Sequence, residues 1–159
     1  MIKEILLFSV QGVIGGLVVL CVTFWYQHRK EQRKLQNYIM LLLPEIQLHI
    51  QSFEFFFHPE KPASSPKLKF VFDTNQWESS KYVLTALEPK LFQNLMIQYR
   101  GIDALLLSYS RYPQKWGKIR STMDDDDFEQ SDLYEDYQCI LDCYNLSHQN
   151  YFALKKLVD

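Results

Sequence analysis

Glycine is scarce in this chain, and so is the alternation of polar and apolar residues that marks a half-buried strand. Only five of the 159 residues are glycine, and the scarcity of alternation favours helices over sheets. The sequence also lacks the glycine-rich loop with lysine that binds nucleotide phosphates, and the Gly-x-Ser-x-Gly motif of hydrolases. We therefore predict an all-α fold. Neither of these two catalytic motifs is present in the sequence.

Neither the charge nor the cysteine content indicates a special chemistry. The formal net charge is −2, so a strong direct affinity for nucleic acid is not expected. The three cysteines are Cys21, Cys139 and Cys143, an odd number that is typical of reduced thiols. Cys139, Cys143 and His148 lie close together in the sequence, but a zinc site would need a fourth ligand. We expect no bound metal and no other cofactor.

Charged residues are absent from residues 5–26, the segment ILLFSVQGVIGGLVVLCVTFWY. A helix of this length spans roughly 30 Å, which matches the hydrocarbon thickness of a bilayer. Trp25 and Tyr26 close the segment, as aromatic residues do at a membrane interface. A cleaved secretory signal usually has a shorter apolar core and small residues at its cleavage site. The sequence therefore predicts an uncleaved transmembrane helix after a short tail, residues 1–4.

A basic segment, residues 27–34, follows the predicted membrane helix directly. It carries four lysines or arginines, whereas the other flank has only Lys3, which is opposed by Glu4. The positive-inside rule then assigns residues 35–159 to the cytoplasm. We predict a single-pass protein of the bacterial inner (cell) membrane, with its N-terminus outside and its C-terminal domain cytoplasmic.

Small and polar residues interrupt the apolar character of the predicted membrane helix. They are Ser9, Gln11, Gly12, Gly15 and Gly16. The Gly12-x-x-x-Gly16 spacing lets helices approach closely, and an amide inside a bilayer seeks a polar partner or water. We expect a homo-oligomeric ring whose helices turn Gln11 toward a pore. The alternative is that glycines are common in membrane helices and that one glutamine near an end is tolerated.

Residues 35–159 show helical periodicity. Apolar residues recur at steps of three and four over residues 35–57, where Pro44 is expected to kink or restart the helix because it removes a hydrogen bond. The last stretch, about residues 131–158, repeats apolar residues in the manner of a heptad seam. With two helices between them, these stretches predict an antiparallel helical bundle.

The middle of the chain contains start and stop signals for helices. Asp73 or Thr74 is expected to cap one helix, with Gln76 completing a capping box. Pro89 is expected to begin the next helix, because proline is favoured in the first turn. Loops are predicted at about residues 58–69 and about residues 112–131.

The second predicted loop carries two blocks of opposite charge. They comprise Arg111, Lys115, Lys118 and Arg120, followed by Asp124, Asp125, Asp126 and Asp127. One interpretation is a solvated loop. The other is that basic and acidic patches of neighbouring subunits meet head to tail. Calcium binding is not expected, because the aspartates lack the spacing and the glycine of a calcium loop.

The last helical stretch contains two weak catalytic candidates, Asn145 and His148. In bundle-type ribonucleases with an Arg-x4-His pair, the histidine serves as general acid or base and the arginine holds phosphate. Position 143 is cysteine rather than arginine, so the pair is incomplete. A histidine on a helix with an apolar face is more often a hydrogen-bonded structural residue. We therefore predict that the protein is not an enzyme.

The sequence resembles two protein families. Residues 41–112 resemble small prokaryotic membrane-tethered helical proteins, mostly of unassigned function, through the helix LLLPEIQLHIQSF and the helix start FDTNQWE. The whole chain resembles the membrane-anchored accessory protein of type VI-B CRISPR systems, whose effector is RNA-guided and cleaves RNA. The likeness lies in size, anchor, helical domain and the region of Asn145 and His148, whereas the arginine is missing. That family combines a membrane helix with a divergent Arg/His-ribonuclease bundle and forms a ring-shaped pore.

The resemblance implies a homo-oligomeric membrane protein that acts as a pore or membrane-perturbing factor in antiviral defence, functionally linked to an RNA-guided effector. Two alternatives stay open. One is a membrane-tethered ribonuclease that uses His148. The other is a tether that holds a soluble partner at the membrane.

Overall fold

The computed structural model describes the backbone of residues 2–57, 72–125 and 127–159, and the side chains of these ranges from residue 14 onward. Within these ranges every regular element is helical, so the predicted all-α fold is confirmed. The elements are α1 (Ile2–Phe57), α2 (Asn75–Leu84), α3 (Pro89–Arg111), α4 (Pro113–Thr122), a 3-10 turn (Phe128–Gln130) and α5 (Tyr134–Lys155).

The chain divides into two compact units, Met1–Asn37 and Tyr38–Asp159. In the part of the chain with described side chains, no helix is long and apolar enough to cross a membrane. Residues 5–13 of the predicted membrane helix lie outside that part. The predicted loop at about residues 58–69 also lies outside the described residues.

The core of the second unit is built mainly from aromatic and branched aliphatic side chains. Its buried members are Phe53, Phe56, Phe72, Ile102, Leu105, Trp116, Ile119, Phe128, Leu133 and Ile140. Ring pairs within it meet edge to face, as Phe56 and Trp116 do at a centroid distance of 5.7 Å, an arrangement that the ring quadrupole favours. The end of α1 thus anchors α3, α4 and α5 through a shared apolar centre.

Pro44 does not restart the first helix, so that part of the prediction is wrong. α1 continues from Ile2 to Phe57 with Pro44 inside it. Proline removes one backbone hydrogen bond, but Leu42 and Ile46 on either side are fully buried. Burial of the flanking apolar side chains stabilises the helix more than one missing bond destabilises it.

The predicted loop at about residues 112–131 is also wrong in part, because it contains α4 and the 3-10 turn. Pro113 occupies the first turn of α4, where its fixed backbone angle suits a helix start. Trp116 and Ile119 are then buried three residues apart. The high density of charge in this stretch concealed a short amphipathic helix.

Helices α3 and α5 approach each other closely at Gly101. A Cβ atom at Gly101 would lie 2.5 Å from Sγ of Cys143 on α5, a distance that real side chains do not tolerate. One turn before Gly101 on α3, Oε1 of Gln98 accepts a hydrogen bond of 2.8 Å from the side-chain amide of Asn150 on α5. Glycine and this buried amide pair together define where α3 lies against α5.

We predict that Gly101→Ala lowers the free energy of unfolding by about 1 kcal/mol, because overpacking outweighs the gain in helix propensity. The measurement is urea unfolding of the full-length protein in mild detergent, followed by circular dichroism. Gly117→Ala is the matched control: nothing lies within 4 Å of its added Cβ, so we expect it to stabilise α4. Adding Cys143→Ala should restore the stability that Gly101→Ala loses, and failure to do so would contradict the close contact.

Candidate functional site

The apolar side chains of residues 14–26 are exposed to solvent. Nine of them keep between 56% and 74% of their surface accessible: Ile14, Leu17, Val18, Val19, Leu20, Val22, Phe24, Trp25 and Tyr26. Single exposed apolar residues are normal on soluble proteins, but a contiguous surface of this kind marks an interaction site. This surface is therefore a candidate contact surface for lipid or for another protein.

The basic segment, residues 27–34, begins directly after this apolar surface and is exposed throughout. The guanidinium of Arg29 lies 4.9 Å from the ring centroid of Trp25, within the range of a cation–π interaction. Beside this pair, the side chains of Gln32 and His28 are hydrogen-bonded at 2.9 Å. Arginine and tryptophan are therefore joined at the boundary between apolar and charged surface.

The residues predicted to line or pack a pore fall into two groups. Ser9, Gln11 and Gly12 lie outside the residues whose side chains are described. Gly15 and Gly16 lie on α1, and a Cβ atom added at either would have no neighbour within 4 Å. No side chain therefore covers the helix backbone at Gly15 and Gly16.

The second unit contains a buried carboxylate where α1, α2 and α3 meet. Glu45 is 4% exposed. Its carboxylate accepts hydrogen bonds from the backbone N–H groups of Gln76 at 2.7 Å and Trp77 at 3.2 Å. It also accepts a bond of 2.7 Å from the Tyr99 hydroxyl. The carboxylate thus caps α2 and lies near the positive end of its dipole.

The predicted capping box at the start of α2 is wrong, because the cap comes from α1 instead. Thr74 occupies the N-cap position without a side-chain hydrogen bond to the helix. Asp73 Oδ1 accepts a bond of 3.0 Å from the N–H of Asn75, the first residue of α2, so Asp73 supplies one acceptor at the helix start. Glu45 lies 31 residues before Gln76 in the sequence. It supplies the hydrogen-bond acceptor for the N–H groups of Gln76 and Trp77.

His49 lies one turn after Glu45 on α1 and is fully buried. Its Nε2 donates to the backbone carbonyl of Asp73 at 2.7 Å, which leaves Nδ1 unprotonated. Nδ1 is buried and has no hydrogen-bond partner among the residues that the structure describes. The rings of Phe72 and Tyr99 pack against the imidazole at 5.6 and 5.5 Å. Burial lowers the pKa of His49 to about 4, so the imidazole is neutral at pH 7.

We call Glu45, His49 and Tyr99 the Glu45 cluster. Burial raises the pKa of Glu45, while the hydrogen bond from Tyr99 and those from the backbone act in the opposite direction. Burial and the neighbouring carboxylate raise the pKa of Tyr99, so its hydroxyl stays a donor. None of the three residues is more than 4% exposed. The arrangement is suited to joining helices rather than to catalysis.

Sequence reasoning missed the Glu45 cluster, although a signal was present. Glu45 and His49 are one turn apart and share a helical face with the buried residues Leu42, Ile46 and Phe53. Polar side chains at helical spacing inside an apolar stripe need buried partners. The partners themselves lie too far away in the sequence to be identified from spacing.

The weak catalytic candidates occupy a partly exposed face of α5. Asn145 is exposed and His148 is half-buried. The His148 ring stands edge-on to Tyr144 at 4.7 Å and nearly parallel to Phe152 at 6.3 Å. Aromatic rings on α5 therefore pack against His148, which belongs to a different helix from any member of the Glu45 cluster.

Two of the residues predicted to contact neighbouring subunits are engaged within the chain. Lys115 on α4 forms a salt bridge of 2.5 Å with Asp136 in the first turn of α5. The guanidinium of Arg120 lies 4.9 Å over the Phe55 ring. The remaining described members of the two charged blocks are exposed: Arg111, Lys118, Asp124, Asp125 and Asp127. Asp126 lies outside the described residues, and contact between subunits stays a prediction.

The cysteines of the second unit lie beside a shallow apolar groove of about 270 Å³ between α3 and α5. Burial raises the pKa of the Cys143 thiol to about 11, so it is protonated and unreactive at neutral pH. Among the side chains that the structure describes, no group of three His, Cys, Asp or Glu residues could hold a metal ion.

No protein-family model matches the chain, and no curated protein or solved structure is significantly similar to it.

We predict that Glu45→Gln lowers the free energy of unfolding by about 2–3 kcal/mol, because the amide retains one acceptor oxygen and places an N–H group among three donors. Urea unfolding of the full-length protein in mild detergent measures the change. Glu129→Gln makes the same chemical change at an exposed position, and its effect should stay within about 0.5 kcal/mol. Equal stability of the two variants would show that Glu45 does not hold α2.

Proposed function

We propose that this chain is a single-pass membrane protein in which residues 5–26 span the bilayer and residues 38–159 form a cytoplasmic interaction domain. The observation that supports the proposal is the exposed apolar surface of residues 14–26, followed at once by the basic segment. A bilayer would cover such a surface along its whole length, and the basic segment would lie at the cytoplasmic headgroups.

The size of the exposed surface makes a covering environment necessary. Burying one large apolar side chain contributes about 1.5–3 kcal/mol. Nine side chains that are more than half exposed therefore leave on the order of 10 kcal/mol unrealised in water. That figure is comparable to the whole stability of a typical domain, so a monomer in aqueous solution is not the functional state that we propose.

An interaction domain fits the second unit better than an enzyme does. The polar groups that the structure brings together, Glu45, His49 and Tyr99, serve as a helix cap and its support. The rings of Tyr144 and Phe152 pack against His148, as expected for a histidine held by packing. These features favour a role in assembly or in holding a partner.

We predict that the wild-type protein stays with bacterial membranes after an alkaline carbonate wash, whereas Leu17→Asp/Leu20→Asp is released. An aspartate near the centre of a membrane helix costs about 3 kcal/mol, and two of them should prevent stable insertion. The measurement is the pelleted fraction of full-length protein by immunoblot.

Ile97→Asp/Leu107→Asp is the matched control, because these side chains on α3 are similarly exposed, at 53% and 50%. It adds the same charge and should remain in the membrane fraction. Release of the wild-type protein by carbonate would exclude the anchor.

A second proposal, self-association through the anchor, is favoured by the bare backbone at Gly15 and Gly16. Small residues let two membrane helices pack backbone to backbone. The finer form of this proposal is a ring-shaped pore with Gln11 toward its lumen, acting in antiviral defence beside an RNA-guided effector. That form draws on the family resemblance of the sequence.

Light scattering of the detergent-purified protein, corrected for the micelle, tests self-association. We expect a single species of several times 19.0 kDa, which Gly16→Leu reduces because the added side chain keeps the helices apart. Val18→Leu is a control on the opposite face of the helix and should leave the mass unchanged. A monomeric wild-type protein would exclude the pore and favour the alternative that the chain tethers a soluble partner.

A further inference from the structure

We infer that one half of the basic segment is a binding surface for the headgroup phosphates of anionic phospholipids. The inference rests on the proposed membrane anchor and adds to it a preference for one class of lipid. The surface consists of Trp25, Tyr26, Arg29, Lys30 and Arg33, which together line a shallow groove of about 230 Å³.

Charge is distributed unevenly around the helix in this segment. With about 100° of rotation per residue, Arg29, Lys30, Arg33 and Lys34 fall within an arc of about 140°. Glu31, the single acidic residue among residues 27–34, lies outside that arc. One half of the helix therefore presents four positive charges with no carboxylate between them.

The other half of the helix is occupied by a different contact. His28 and Gln32 are hydrogen-bonded to each other there at 2.9 Å. Their bond engages the Gln32 amide outside the cationic arc. The separation into a cationic half and a polar half is what a surface for anions requires.

Aromatic rings place the cationic half at the correct depth for a headgroup. Trp25 and Tyr26 prefer the interface between hydrocarbon and water. Arg29, 4.9 Å from the Trp25 ring centroid, is therefore located at the level of the phosphates. Guanidinium groups bind phosphate oxygens through paired hydrogen bonds, and clustered Lys and Arg residues beside a membrane helix attract anionic lipids.

A lipid phosphate fits this surface better than a nucleic-acid phosphate does. The cationic arc continues directly from the exposed apolar residues 14–26, so a ligand that contacts both must itself be amphipathic. A phospholipid has that character, because its acyl chains and its phosphate are joined in one molecule. A soluble polyanion would contact only the charged half.

The test uses full-length protein in phosphatidylcholine vesicles that contain a minor fraction of brominated lipid. The brominated lipid is either phosphatidylglycerol, which is anionic, or phosphatidylcholine, which is zwitterionic. Trp25 is 57% exposed, whereas Trp77 and Trp116 are 6% and 4% exposed. Quenching of tryptophan fluorescence therefore reports mainly on Trp25, and Trp25→Phe gives the background to subtract.

We expect stronger quenching by the anionic lipid than by the zwitterionic lipid in the wild-type protein. Each basic residue near an anionic surface contributes a factor of at most about five. Arg29→Gln/Arg33→Gln should bring the quenching ratio close to one. Lys90→Gln/Lys156→Gln removes the same charge from exposed positions outside the segment and should keep the wild-type ratio.

Three results would overturn the inference while leaving the anchor intact. The first is equal quenching by both lipids. The second is that Lys90→Gln/Lys156→Gln lowers the quenching ratio as much as Arg29→Gln/Arg33→Gln does. The third is loss of the preference for the anionic lipid when phosphate replaces chloride at the same ionic strength. The last result would assign the surface to a free anion. If the wild-type protein does not float with the vesicles at all, the anchor fails and the lipid surface fails with it.

Discussion

The hydrogen bonds of the Glu45 carboxylate are the constraint on which the arrangement of α1, α2 and α3 depends. Taking a carboxylate out of water is unfavourable unless its oxygens find donors. Here two backbone N–H groups and the Tyr99 hydroxyl supply them. Since each donor belongs to α2 or α3, the charge is tolerated only when all three helices are in place. Tyr99 also stacks on Trp77 at 4.6 Å, which extends the polar contact into the apolar core.

The opposite side of α3 depends on shape rather than on charge. Gly101 leaves room for the sulfur of Cys143. The buried hydrogen bond between Gln98 and Asn150 would be lost if α5 slid by one turn. Buried polar pairs of this kind specify register more than they add stability. The Glu45 carboxylate on α1 thus holds α2, whereas the missing side chain of Gly101 on α3 positions α5.

Some features that arise within one turn of helix were predictable from the sequence, whereas contacts between distant residues were not. Pro89 was predicted to begin α3, and it does; the all-α fold followed from the spacing of apolar residues. The cap of α2 escaped prediction because its acceptor, Glu45, lies on another helix. The helix α4 escaped because its buried residues, Trp116 and Ile119, are surrounded by lysines and arginines that suggest a solvated loop.

The separation between Glu45 and the helix that it caps has a consequence for how this sequence can diverge. Aspartate at position 45 would be one carbon too short to reach both Gln76 and Trp77, and any shift in the start of α2 would move the N–H groups out of reach. A substitution at either place therefore needs a compensating change at the other if the cap is to be kept. A contact between residues 31 and 32 positions apart thus links the sequence of the α1 stripe to the exact residue at which α2 begins.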